Sequence, residues 1–262
     1  MMRMKRIIYL YVGLLLGVLV GTIPAKAQTV DTDTLWERAG TLYTAGDYNG
    51  ALMVYDSISS AGWASAKLFY NMGNAYFKSG KIGEAILYYN KAQKLAPADD
   101  DVAYNLAYAN SFVKDKIEVV PEFFLKEWLS KVSNLMSSDS WAIFSLVALA
   151  LTLTFGLVYL LGAKRRVRKV GFVVALVGAV VTIATGGFAA AERRDVLDCS
   201  EAVVVSSAAA VKSSPDRTSK DIFILHEGTK VKVLDTYGAW NEIRIADGNE
   251  GWISSSAIII ID

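Results

Sequence analysis

The sequence predicts a multi-domain protein: an α-helical repeat array, a two-helix transmembrane hairpin and a small C-terminal β-barrel. Three observations predict it. Between Thr34 and Phe112 the residues recur at an offset of 34. Trp141–Leu161 and Val170–Ala191 contain no Asp, Glu, Lys, Arg or His. Residues 201–262 break into seven short apolar or alternating runs with Gly-containing turns between several of them. Composition agrees with membrane insertion, since 53% of the 262 residues are hydrophobic and the mean hydropathy is +0.32. The net charge of +1 implies no broad basic surface and so no nucleic-acid partner.

Met1–Arg6 carries Arg3, Lys5 and Arg6, followed by an apolar run to Ile23 and the small-x-small triplet Ala25-Lys26-Ala27. This is the pattern of a secretory signal peptide over residues 1–27. An uncleaved anchor helix is the alternative, and either one places the chain from Gln28 onward outside the cytoplasm.

The repeat domain is expected over residues 28–114. Its central copy reads Phe69-x2-Met72-Gly73-x2-Tyr76, then Gly80, Ala85-x3-Tyr89, Ala92 and Pro97. Those are tetratricopeptide spacings. Gly73 and Ala85 stand where two helices approach closely, Gly80 allows the turn, and Pro97 prevents the second helix from continuing. Gly46, Ala51 and Tyr55 match one repeat earlier, and Tyr104–Ala107 match Tyr70–Gly73 one repeat later, so a capping helix should close the stack. Arrays of this kind form a concave groove lined by the first helix of each pair. Lys67, Tyr70, Asn71, Asn74, Phe77 and Lys78 are candidate groove residues on the middle repeat, with Tyr104, Asn105 and Tyr108 on the cap. Amides can hydrogen-bond a peptide backbone and aromatics supply contact area. Packing between helices is the competing role for each tyrosine.

Residues 115–140 form a connector and an amphipathic helix. Leu125, Trp128, Leu129, Val132, Leu135 and Met136 recur at three- and four-residue spacing. The helix should lie at a membrane surface with Trp128 at the interface, docking onto the repeat domain being the alternative. The spans come next at 141–162 and 170–191, each about the length needed to cross a bilayer. Between them, residues 163–169 are expected as a cytoplasmic loop, because Lys164, Arg165, Arg166, Arg168 and Lys169 obey the positive-inside rule. Both flanking domains would then be periplasmic. Small residues form stripes on the spans, Ala148/Thr152/Gly156 and Gly171/Ala175/Ala179, which suit close packing on each other or on another protein's helices. Neither span holds an ionisable group, which argues against an ion or proton pathway.

Residues 199–262 are expected as one small β domain, with 201–262 all-β and folding on their own. Val211-Lys212-x2-Pro215, Leu225-His226-Glu227-Gly228-Thr229, Gly238-x-Trp240 and Asp247-Gly248-x2-Gly251-Trp252-Ile253 resemble a bacterial SH3 domain. Trp240 and Trp252 are assigned to core or half-core packing first and to ligand platforms second. His226 and Cys199 stand alone, far apart in sequence, so neither Cys–His catalysis nor a metal site is expected. No phosphate loop or nucleophile elbow occurs. The expectation is a non-enzyme without cofactors.

This domain order, with Lys116-Ile117-Glu118-x2-Pro121-x-Phe123-Phe124 and the Trp-containing helix before the first span, resembles the BatE-like proteins of the Bacteroides aerotolerance operon. The resemblance implies an inner-membrane scaffold working with membrane-anchored von Willebrand A-domain proteins, and a link to oxidative or envelope stress. The second hypothesis has the SH3-like domain binding cell-wall peptide or glycan, with peptidoglycan as its partner.

Overall fold

The computed structural model describes residues 32–118 and 124–262. The expected signal peptide and Pro121 lie outside the described residues. The chain forms two compact bodies, one from residues 32–142 together with 186–262 and the other containing 143–185.

In the first body, five helices form a tetratricopeptide-like array: α1 Thr32–Thr44, α2 Tyr48–Ser60, α3 Ala66–Lys78, α4 Ile82–Leu95 and α5 Asp100–Asn110. Local chemistry fixes their ends. Asp47, Ser65 and Asp99 cap α2, α3 and α5 by accepting backbone N–H bonds from the first turn. Gly46 and Gly80, one repeat apart, take φ of 82° and 76° in the tight turns after α1 and α3, a region costly for other residues. Ala51/Ala85 and Tyr55/Tyr89, also one repeat apart, are buried in equivalent places. Gly73 packs directly under Tyr89, whose Cδ1 would lie 2.6 Å from any added Cβ.

The same body contains one seven-stranded antiparallel sheet: β1 Glu201–Val204, β2 Ala208–Lys212, β3 Asp221–His226, β4 Lys230–Tyr237, β5 Trp240–Arg244, β6 Glu250–Ser254 and β7 Ile258–Ile260. Its order is β3-β2-β6-β5-β4-β1-β7. Each strand falls on one of the seven runs read from sequence. Val204, Val211, Ile243 and Ile253 form the sheet's aliphatic core. Trp240 and Trp252 do not join it. Burial alternates along β5 and β6, with Ile243 and Ile253 inward, so the two tryptophans project from the opposite face and are half-buried. The core is therefore aliphatic, and the two tryptophans take the half-core place rather than the core one.

The sheet does not stand alone but packs on the repeat helices, a contact that the sequence reading did not expect. Val203 and Ile261 share one buried core with Ile86 and Leu87 of α4 and Leu106 and Ala109 of α5. Polar contacts ring that core. Lys91 pairs with Asp262, and Lys94 Nζ donates to the Ile261 carbonyl at 2.8 Å. Asp115, just after α5, accepts from the His226 backbone N–H (2.7 Å) and Thr229 Oγ1 (2.6 Å), and bonds His226 Nδ1 (2.7 Å). Burial pushes the Asp115 carboxyl up, but these hydrogen bonds outweigh burial and hold it below its ordinary value.

Helix α6, Phe124–Ser133, leaves Phe124, Leu125, Trp128 and Leu129 exposed, so its apolar face is not docked on the repeats. Its end is tied down within the same body. Ser133 Oγ donates to the buried Glu192 carboxylate (2.6 Å) and Trp141 Nε1 donates to the Ser133 carbonyl (2.8 Å).

Two apolar helices, α7 Ser138–Leu161 and α8 Arg165–Leu197, are long and apolar enough to cross a membrane. Almost none of either apolar stretch is buried, as a soluble core helix would be. Both helices outrun the spans read from sequence. Arg165–Lys169 lies within α8 rather than in a free loop, because the turn needs only Gly162–Lys164. In the second body the small residues pack α7 on α8. Gly171 meets the backbone of Phe155 and Tyr159, Gly178 meets Thr152, and Ser145 Oγ donates to the Thr182 carbonyl (3.2 Å). Gly156, part of the expected stripe, has no such neighbour within 4 Å.

Candidate functional site

The repeat domain places α1, α3 and α5 as successive first helices, and residues one repeat apart occupy equivalent positions on them. Trp36, Tyr70 and Tyr104 therefore form an aromatic series at an offset of 34, one per repeat. Trp36 thus joins the groove candidates, and the offset itself points to it.

The polar candidates divide by what they touch. Asn105 Nδ2 donates to Tyr70 Oη at 2.6 Å and lies 3.4 Å from Asn74 Oδ1. Asn74 Oδ1 also accepts from Tyr89 Oη at 2.7 Å. Asn74 and Asn105 thus join tyrosines across α3, α4 and α5. The idea that Asn105 presents a free amide to a peptide needs correction: hydroxyls packed in a helical stack require partners, and these amides provide them. Asn71 is half-buried on α3. Tyr89 is held mostly by burial with its phenol pKa raised, so the hydroxyl stays a donor.

The exposed candidates are the others. Tyr104 is 71% exposed because no further helix pair follows to cover it. Tyr108 and Phe112 are half-exposed and pack with Phe77 in a three-ring cluster, at centroid distances of 5.2 to 5.5 Å. Lys67 and Lys78 are exposed, and the Lys67 ammonium stands 5.3 Å from the Trp36 ring centroid. Near Trp36, a cleft of about 200 Å³ runs between it, Trp63, Ile58 and Leu68. The surface carries exposed rings and the cations Lys67 and Lys78, with Asp33 lining the cleft near Trp36 and the Asn74 and Asn105 amides spent inside the stack. Such a surface suits an apolar peptide carrying a carboxylate or acidic side chains.

On the sheet, Trp240, Glu242 and Trp252 share the outward face, with Glu242 directly opposite Trp252 in register. Tyr237, opposite Trp240 on β4, is exposed. This second patch is aromatic with the carboxylates of Glu242 and Glu250, the latter paired with Arg244.

Among the described residues, the hydrogen bonds of Cys199 and His226 do not join a nucleophile to a base. Cys199 is exposed and far in sequence from His226. The His226 ring is engaged by Asp115, but the nearby hydroxyl of Thr229 bonds the carboxylate rather than the other ring nitrogen, so no nucleophile–base pair is formed. Among the described residues, no group of three His, Cys, Asp or Glu side chains converges to hold a metal. Sequence reading missed Asp115 because its partners lie more than a hundred residues away.

Comparison with known families agrees with the two modules. The tetratricopeptide repeat family matches residues 66–99, and the bacterial SH3 domain family matches residues 207–259. No curated protein matches the chain. The chain therefore carries a tetratricopeptide repeat, a module typical of protein–protein interaction, and a bacterial SH3 domain, a module suggestive of cell-wall binding; both are typically non-catalytic.

Proposed function

We propose that this protein is a non-enzymatic inner-membrane scaffold whose repeat groove recruits a periplasmic partner protein. The observation that carries the reading is the exposed Tyr104, which ends the aromatic series whose Trp36 and Tyr70 are half-buried, together with the exposed Lys67 and Lys78, in a chain that also carries two bare apolar helices. The shared core of repeats and sheet supports the same-side placement of both domains, because a chain that leaves and re-enters one body must cross a bilayer an even number of times. The basic residues Lys164, Arg165, Arg166, Arg168 and Lys169 favour a cytoplasmic turn and hence a periplasmic body. The domain order resembles the BatE-like proteins, so the partners are proposed to be membrane-anchored von Willebrand A-domain proteins in an aerotolerance or envelope-stress complex.

A photo-crosslinking residue at Tyr104 tests this reading. It should capture a von Willebrand A-domain protein in intact membranes, whereas capture at Trp252 alone would contradict it. Alkaline phosphatase fused after Asp262 should be active and a fusion at Lys164 inactive; the reverse pattern would refute the orientation.

The outward pair Trp240 and Trp252 favours a second reading, in which the sheet binds peptidoglycan. Aromatic faces stack on sugar rings and Glu242 can accept from hydroxyls. Saturable pelleting of the full chain with purified cell wall, lost in Trp252→Ala, would promote it over the first.

A further inference from the structure

In the second body, α8 begins with a face of abrupt chemical change. Arg165, Arg168, Lys169, Phe172 and Val173 recur at three- and four-residue spacing, so they share one side of the helix. The first three are cationic and the last two apolar, over roughly 12 Å of helix. Tyr159 from α7 and Ala163 from the turn form the facing wall, and the residues enclose an open cleft of about 670 Å³. Arg168 is fixed within it. Its Nε donates to the Tyr159 carbonyl at 3.2 Å and its guanidinium lies 5.4 Å from the Tyr159 ring centroid. The Phe172 ring packs against Tyr159, tilted, with centroids 5.4 Å apart.

The positive-inside rule requires cations near the turn but no particular arrangement. Three of the five converge on this cleft, while Lys164 and Arg166 do not line it. Nor does the helix need them, since cations in a first turn oppose the macrodipole. A ligand that matches the face must be anionic at one end and apolar at the other, at the depth where the apolar helices end.

We propose that this cleft binds the phosphate headgroup of an anionic phospholipid, with Arg165 and Lys169 on the phosphate and Phe172 and Val173 against its acyl chain. Arg168, held on Tyr159, positions the wall between them and adds its free guanidinium edge. The proposal rests on α7 and α8 crossing a bilayer, and goes beyond it by assigning a lipid class and named contacts.

The test uses the full chain in neutral detergent micelles, where no membrane surface potential exists, with phosphatidylglycerol as the probe and native mass spectrometry as the readout. One phosphatidylglycerol should be retained about ten-fold better than phosphatidylcholine. The double variant Arg165→Gln, Lys169→Gln should lose that preference, whereas Lys164→Gln, Arg166→Gln, which removes the same charge, should keep it within about two-fold. Equal loss in both variants, or no preference in the unmodified chain, would overturn the proposal. Displacement of the lipid by an equal concentration of inorganic phosphate would overturn it too, assigning the site to free phosphate. Flotation with neutral phosphatidylcholine vesicles separates the two levels. A chain that fails to insert refutes the membrane reading and this inference together, while one that inserts without a lipid preference refutes only the inference.

Discussion

Gly73, Asn105 and Tyr104 illustrate three fates of a residue in a stacked array. Gly73 has no room for a side chain, since Tyr89 fills the space an added Cβ would need. Gly73→Ala should therefore cost about 1–3 kcal/mol through overpacking, read as a lowered urea midpoint of the full chain. Asn105 spends its amide on Tyr70 and Asn74. Asn105→Ala should lower stability by about 1 kcal/mol and reduce partner capture only as far as it loosens the array. Tyr104 touches solvent, so Tyr104→Ala should leave stability within about 0.5 kcal/mol while lowering capture. Equal destabilisation by the Asn105 and Tyr104 changes would refute this division of roles. Gly73 was legible in the sequence because close helix approach demands a particular residue at a particular spacing. The fate of Asn105 was not, because an asparagine at a groove position serves a neighbouring tyrosine or a ligand with the same amide.

Elements repeat that contrast between position and facing. The seven strands were legible because alternation and glycine turns mark their ends. Their facing was not, because a large aromatic in a short strand reads as core until the sheet's alternation is known. Ile253 is fully buried and Trp252 half-buried beside it on the other face. Ile253→Ala should thus cost about 2–5 kcal/mol and Trp252→Ala distinctly less, by chemical denaturation of the full chain. The reverse ranking would place the tryptophan in the core after all. Helix α6 poses the same question toward a membrane. Its exposed Leu125, Trp128 and Leu129 lie opposite the Lys131–Glu127 ion pair, which bonds at 2.7 Å. A surface-lying helix should place a nitroxide at position 128 in the lipid headgroup region and one at position 131 in water, as judged by oxygen and nickel accessibility. Two water-exposed labels would detach α6 from the membrane.

For the whole molecule, the decisive feature is the core that joins the C-terminal sheet to α4 and α5. It explains why Val203 and Ile261 are fully buried, though neither stands out within its own domain. No local pattern announces such a contact, since it joins segments that the two apolar helices separate in sequence. Two carboxylates hold its rim. Hydrogen bonding to Lys91 holds Asp262 below its ordinary value, and Asp115 is likewise depressed. A carboxylate whose folded pKa is depressed contributes stability above its unfolded value of 3.8, and that contribution is lost as pH falls through the folded value. Docking should thus be unaffected by these groups between about pH 5 and 8 and should loosen below about pH 4, seen as faster proteolysis of the 111–118 connector. Asp115→Ala should loosen it at neutral pH, costing roughly 2–4 kcal/mol for the lost hydrogen bonds to a charged group. A body braced in this way holds the helices of the groove in register, and recruitment from that groove is the claim on which the scaffold reading stands. It is tested most directly by co-purifying a membrane-anchored von Willebrand A-domain partner with the full chain and with a Lys67→Glu, Lys78→Glu, Tyr104→Ala variant of unchanged stability. The account predicts that the partner is retained by the unmodified chain and lost, about ten-fold or more, from the variant; equal retention by both would contradict it.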